Sequence, residues 1–145
     1  MKRNKKNILT RDSILSGDVL ELVKAENQSM QLLTEQERND SLLGMFKNRT
    51  IDQDVWLFGY GSLIWNPAIH FERKSIMTIY GFHRKFCLKT YLGRGSKDVP
   101  GLVLGLDHGG SCRGIAFKIP AKIAPKELEI IWRREMVGGS YIPKW

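Results

Sequence analysis

Val55-Trp56-Leu57-Phe58-Gly59-Tyr60-Gly61-Ser62-Leu63-Ile64-Trp65-Asn66-Pro67 is the stretch on which the reading of the fold turns. Val55 to Phe58 are β-branched, aromatic or aliphatic, the composition of a buried strand, and glycine ends the run. Glycine permits positive φ and close backbone approach, so Gly59-Tyr60-Gly61-Ser62 can aim several N–H groups at an anion or a developing oxyanion. An ordinary tight turn is the other reading of the same residues. A dinucleotide fingerprint and a serine nucleophile elbow both require glycine where Ile64 stands, so neither fits, and Ser62 is not marked as a nucleophile.

Downstream the pattern continues as strands. Phe71 to Tyr80 and Arg84 to Thr90 read as two of them, joined by Gly81-Phe82-His83. Gly93-Arg94-Gly95-Ser96 and Val99-Pro100-Gly101 mark a loop, Leu102 to Leu106 a further strand, Asp107-His108-Gly109-Gly110 a turn, and Cys112 to Ile119 another strand. Pro125 suits the first turn of a helix that runs to Met136 and stops at Gly138-Gly139. Upstream, Thr10 or Asp12 can cap a short helix, Val19, Leu20 and Val23 recur at helical spacing, and Thr34 with Glu37 forms a capping box before Leu42, Leu43 and Phe46. Gly17 and Glu26-Asn27-Gln28-Ser29 divide these helices. The expectation is an α+β chain with mostly antiparallel strands, a helical leader over 1–54 and the main domain over 55–145.

The length, 145 residues, suits one core, and 42% apolar with 26% charged residues lies in the globular range. The basic run Lys2-Arg3-Asn4-Lys5-Lys6 precedes mixed polar sequence and no apolar run is long enough to span a bilayer, so neither secretion nor a membrane is expected. Cys87 and Cys112 could form one bridge at most and lack metal-binding spacing, which fits a reducing cytoplasm. Of the +8 net charge, residues 1–54 contribute nothing, with nine basic against nine acidic side chains, whereas 55–145 carry fourteen against six. That bias suits an anionic partner. Nucleic acid or a carboxylate-bearing metabolite would both answer to it, scattered solubilising charge is the plainer reading, and the signatures of a nucleic-acid module are missing, so charge narrows the partner without naming it.

On the last helix Leu128, Ile131, Trp132 and Glu135 fall at i, i+3, i+4 and i+7, placing a carboxylate in line with the apolar stripe while Arg133 and Arg134 can point away. A carboxyl held against apolar surroundings is a better proton acceptor near neutral pH. A solvated Glu135, or one paired with a strand Arg or Lys, is the alternative. His83 and Cys87 on one strand would stand about 13 Å apart at roughly 3.3 Å per residue, too far for a dyad. His70, His83 and His108 show no ligand spacing, so no metal is expected.

The quoted stretch resembles the opening strand and loop of the ChaC family of γ-glutamylcyclotransferases. Gly81-Phe82-His83-Arg84-Lys85-Phe86-Cys87-Leu88, Pro100-Gly101, Gly114-Ile115-Ala116-Phe117 and Trp132-Arg133-Arg134-Glu135-Met136, with Gly139 and Tyr141, follow in that family's order. The resemblance implies a γ-glutamylcyclotransferase-like fold, a small barrel or sheet with packed helices, and cofactor-free, metal-free cleavage of glutathione to 5-oxoproline and L-cysteinylglycine in the cytoplasm. It implies that Gly59, Tyr60, Gly61, Ser62, Leu63 and Ile64 bind the γ-glutamyl group, that Glu135 is the catalytic general base and acid, and that Tyr141 borders the substrate. Family members run on for many tens of residues past the glutamate, so the C-terminal strands are expected to be missing here. The function expected is therefore glutathione-specific cyclotransfer. A cyclotransferase for other γ-glutamyl amines or dipeptides, or a catalytically dead binding or regulatory remnant, are the alternatives.

Overall fold

Two threonine capping boxes organise the leader in the computed structural model, which describes residues 9–26, 31–47, 52–91, 95–96 and 98–145. The basic run at 2–6, the divider at 27–29 and the Gly93-Arg94 pair lie outside the described residues. The Thr10 hydroxyl oxygen accepts from the Ser13 N–H while the Ser13 hydroxyl oxygen accepts from the Thr10 N–H, which starts α1 (Arg11–Ser16). Gly17, at φ 87°, ends it before α2 (Asp18–Glu26). Thr34 and Glu37 make the second box at the head of α3 (Glu35–Phe46), as the sequence predicts.

Three antiparallel strands, β1 (Val55–Gly59), β2 (Arg73–Thr90) and β3 (Gly101–Ile119), form a sheet in the order β1-β3-β2. The register of β1 on β3 runs from Val55 opposite Ile119 to Gly59 opposite Ile115. β1 is an edge strand rather than a fully buried one: Trp56 is 40% exposed, with the Arg73 guanidinium 5.3 Å from its ring centre.

The four strands expected after Phe71 are two. Gly81-Phe82-His83 does not connect separate strands and Asp107-His108-Gly109-Gly110 does not turn; β2 and β3 each run straight through, over 18 and 19 residues. Tyr80 stands opposite Ser111 and Phe82 opposite His108, so Gly81 faces Gly109 and Gly110 where the pairing slips. All three glycines have positive φ, at 85°, 95° and 69°. The residues that signal turns in sequence thus build a bulge, which twists and bends a ribbon without ending it.

α4 (Ala124–Glu135) supplies the largest share of the core. Leu128, Ile130, Ile131 and Trp132 are buried with Val55, Phe117 and Ile119 of the sheet and Ile14, Val19 and Leu42 of the leader in one cluster. Each such side chain contributes roughly 1.5–3 kcal/mol by leaving water. The Trp132 indole N–H reaches Ser41 Oγ at 3.2 Å, fixing α4 to α3. On the ribbon itself Ile76, Tyr80 and Phe86 of β2 and Leu102 of β3 are exposed.

Glu127, which the sequence reading did not single out, is 2% exposed. Arg11 grips it with two hydrogen bonds of 2.5 and 2.8 Å, and the His70 N–H donates to it at 2.9 Å. Burial pushes this carboxyl up, but those hydrogen bonds and the arginine's charge outweigh burial and hold it below its ordinary value. Arg11→Ala is expected to cost about 2–4 kcal/mol, because it strands a buried carboxylate. This would be read as a lower urea midpoint at unchanged slope. A depressed folded-state pKa makes the contribution complete above the unfolded value of about 4.3 and lost as pH falls through the folded one. Wild-type and variant stabilities should therefore converge in acid; a gap that stayed constant down to the acid transition would assign the loss to something other than the ion pair.

Candidate active site

The end of α4 meets the loop that leaves β1. There a cleft of about 370 Å³ is lined by Tyr60, Gly61, Ser62 and Leu63 with Trp65 from the loop, Val103 and Leu104 from β3, Glu135 from α4, and Tyr141. Six of the eight residues singled out in the sequence share this one space. Gly59 and Ile64 do not line it, and both shape the loop instead. A Cβ on Gly59 would stand 3.0 Å from the Leu63 Cβ, so glycine there lets the loop fold back over the strand end. The Ile64 N–H closes on the Gly61 carbonyl at 2.9 Å, and the Trp65 and Asn66 N–H groups both close on the Ser62 carbonyl, winding Ser62–Ile64 into a 3₁₀ turn.

Glu135 is the last residue of α4, its side chain 24% exposed. Burial pushes its carboxyl up, and the charge and hydrogen bond of Arg134 pull it part of the way back. It therefore does pair with an arginine, but with its own helix neighbour rather than a strand residue. Tyr60 and Tyr141 share a hydrogen bond. Burial raises both phenols, and the Glu135 charge raises them further, so both keep their protons near neutral pH and remain donors.

Arg133 points away as expected, pairing with Glu129 and Glu35 at 2.9 and 3.3 Å. Arg134 does not. Its side chain is 3% exposed, and the guanidinium gives one N–H to Ser62 Oγ at 3.0 Å, one to the Asn66 carbonyl, and a third, from Nε, to Glu135 Oε1 at 2.9 Å. Helical periodicity assigns an arginine to solvent by default, whereas a guanidinium whose nitrogens all find acceptors can stay inside. The cue in the sequence is spacing: Arg134 stands three and four positions after Ile131 and Ile130, on their face of the helix. In sequence Trp65 belongs to a loop and Val103 and Leu104 to a strand; their place at the cleft depends on pairing across the sheet, which no local pattern carries.

Cys87 and Cys112 are both free thiols, the first exposed and the second buried. His83 and Cys87 lie on β2 as expected, and the His83 Nδ1 is 3.0 Å from the Gly109 carbonyl oxygen. Among the described residues no group of three or more His, Cys, Asp or Glu side chains could hold a metal ion, and no helix is long and apolar enough to cross a membrane.

The arrangement can exchange a proton at Glu135 and donate hydrogen bonds from the Tyr141 phenol, a serine hydroxyl and a glycine-bearing loop. Residues 55–144, which contain every one of these groups, match the family model described as ChaC-like protein. The chain belongs to the ChaC-like family. An Escherichia coli (strain K12) protein named glutathione-specific gamma-glutamylcyclotransferase is 38% identical to this ChaC-like chain over 138 residues, 95% of the chain and 59% of that protein. A Schizosaccharomyces pombe protein of the same name is 36% identical over 63% of the chain and 53% of its own length. A human one, numbered 1, is 35% identical over 63% of the chain and 42% of its own length. A crystal structure of a yeast γ-glutamyl cyclotransferase specific to glutathione superposes with a TM-score of 0.50 at 26% identity, covering 57% of this chain and 48% of that one. The chain thus spans about half the length of the relatives it matches.

The loop of this ChaC-like chain depends on a second glycine. A Cβ on Gly114 of β3 would run into the Gly59 carbonyl oxygen and lie 2.6 Å from the Phe58 ring, so β1 could no longer lie where it delivers the loop. Gly114→Ala is expected to cost about 1–3 kcal/mol, as overpacking at a close backbone approach does, and to displace the Tyr60 and Ser62 resonances in NMR spectra. Unmoved loop resonances would mean that the loop is held independently of β1.

Proposed function

We propose that this chain is a glutathione-specific γ-glutamylcyclotransferase, with residues 55–145 as the catalytic domain, residues 1–54 as its leader, and the cytoplasm as its compartment. The observation that carries the reading is the meeting of Glu135 with the glycine-serine loop in one cleft. The names of the relatives, which specify glutathione, support it.

The chemistry needs few parts. The α-amine of the γ-glutamyl group attacks its own γ-carbonyl carbon, a five-membered ring closes, and the amide bond to cysteine breaks, giving 5-oxoproline and L-cysteinylglycine. Nucleophile and electrophile belong to one substrate, so holding a folded conformer replaces a bimolecular encounter and no protein nucleophile is required. Glu135 takes the proton released by the attacking nitrogen and returns one to the departing nitrogen. Its raised pKa brings its basicity closer to that task. A helical turn leaves its leading N–H groups without acceptors inside the turn, and those of Gly61, Ser62 and Leu63 are suited to a carboxylate or to the oxyanion of the tetrahedral intermediate. Tyr141, protonated near neutral pH and accepting from Tyr60, keeps its own O–H as a further donor to the substrate. The net charge of 55–145 favours an anionic substrate throughout.

The purified protein is expected to release 5-oxoproline from glutathione, and Glu135→Gln to lower kcat/KM by about 10²–10⁴-fold with unchanged circular dichroism. The base must be ionised to act, so kcat/KM should fall as pH drops through the raised pKa, at a pH above the ordinary carboxylate value of about 4.3. Release that is indifferent to Glu135→Gln would overturn the assignment of the base. Binding of glutathione without release would replace the enzyme by a binding protein, and a preference for other γ-glutamyl amines would replace the substrate.

A further inference from the structure

Resting on that reading, we infer that Arg134 is a positioning residue that locks the general base and the substrate-binding loop to each other through a single buried guanidinium. The geometry is specific. Three nitrogens of one planar group address three acceptors on two elements: Glu135 Oε1 on α4, and, on the loop, Ser62 Oγ at the head of the 3₁₀ turn and the Asn66 carbonyl just past its end. With its side chain 3% exposed, the guanidinium has lost its hydration and holds its place only while all three acceptors stay. Adjacent positions on a helix do not face each other, so the contact of 134 with 135 exists only because both side chains leave the last turn toward the same loop.

Two consequences bear on the reaction. The Ser62 oxygen accepts from Arg134, which leaves its own O–H to donate, and a hydroxyl so arranged suits an anionic group of the substrate. Meanwhile the guanidinium opposes the effect of burial on Glu135 and keeps the carboxylate form accessible near neutral pH. Among the described residues, the charged and titratable groups around that carboxylate are Arg134 on α4, Tyr60 on the loop and Tyr141 after the helix, with Cys87 of β2 facing the tyrosine pair. Arg134 is the cation among these described residues. A lysine could supply the charge but not the fork, since its donors radiate from one atom.

The test follows the Glu135 carboxyl carbon by NMR titration in protein carrying ¹³C-labelled glutamate, alongside 5-oxoproline release. In Arg134→Met the Glu135 midpoint is expected to rise by about one pH unit or more, with the acid limb of kcat/KM moving up alongside it. In Arg134→Lys the midpoint is expected to stay near wild type while kcat falls at least about tenfold, because the loop is released though the charge is kept. A purely structural arginine would move neither the midpoint nor the limb. Equal midpoints in folded wild type and Arg134→Met would overturn the inference.

Should both variants fail to fold, wild type alone decides: the Arg134 Nε–H resonance is expected to shift with the same midpoint as the Glu135 carboxyl, and one indifferent to that titration overturns the proposal. The titration needs no turnover. A coupled midpoint in a protein that forms no 5-oxoproline would support the lock and overturn the cyclotransferase reading alone.

Discussion

Charge that is shut away from water must be matched, and on α4 that requirement fixes the neighbourhood of the cleft. Glu127 and Arg134 lie two turns apart on one face of the helix, both buried. The segment 66–70 is held between them at its two ends: the Asn66 carbonyl accepts from Arg134 and the His70 N–H donates to Glu127. The leader adds to the same segment, with the Asn66 amide donating to the Leu9 carbonyl at 2.8 Å and Arg11 completing the pair with Glu127. Ala68, in the middle, sits at φ 57°, a conformation that a non-glycine residue keeps only where its surroundings over-determine it. Each partner is affordable because of the others; a lone buried carboxylate or guanidinium would cost several kcal/mol.

The leader is therefore more than a cover for apolar surface. Its Ile14, Val19 and Leu42 share the core with the sheet and α4, and its Arg11 neutralises a charge that belongs to the helix bearing Glu135. The sequence reading saw the leader's helices and their threonine caps, because capping chemistry is local and written in four consecutive residues. Its electrostatic role was invisible there: Arg11 and Glu127 are 116 positions apart, and neither stands in a pattern that distinguishes a buried charge from a solvated one.

The same division separates what else was legible. The glycine-serine loop and Glu135 could be picked out because one follows a β-branched and aromatic run and the other continues an apolar helical stripe. For Arg134 the sequence says only that it can point away, because periodicity alone cannot see an acceptor that arrives from the loop after β1. Strand number failed for a related reason. Gly81, Gly109 and Gly110 carry the conformational freedom of turn residues, and only the cross-strand register reveals that they stand opposite one another and bend two continuous strands.

That bend has a mechanical meaning for the cleft. Val103 and Leu104 lie on the limb of the ribbon beyond the three glycines, whereas the loop and Glu135 are anchored on the near side, in the core and in the charge network of α4. One jaw of the cleft is thus bolted to the rigid part of the molecule and the other rides on a cantilever whose pivot is built from residues without side chains. The aperture between them therefore depends on the ribbon's curvature as well as on the residues that line it.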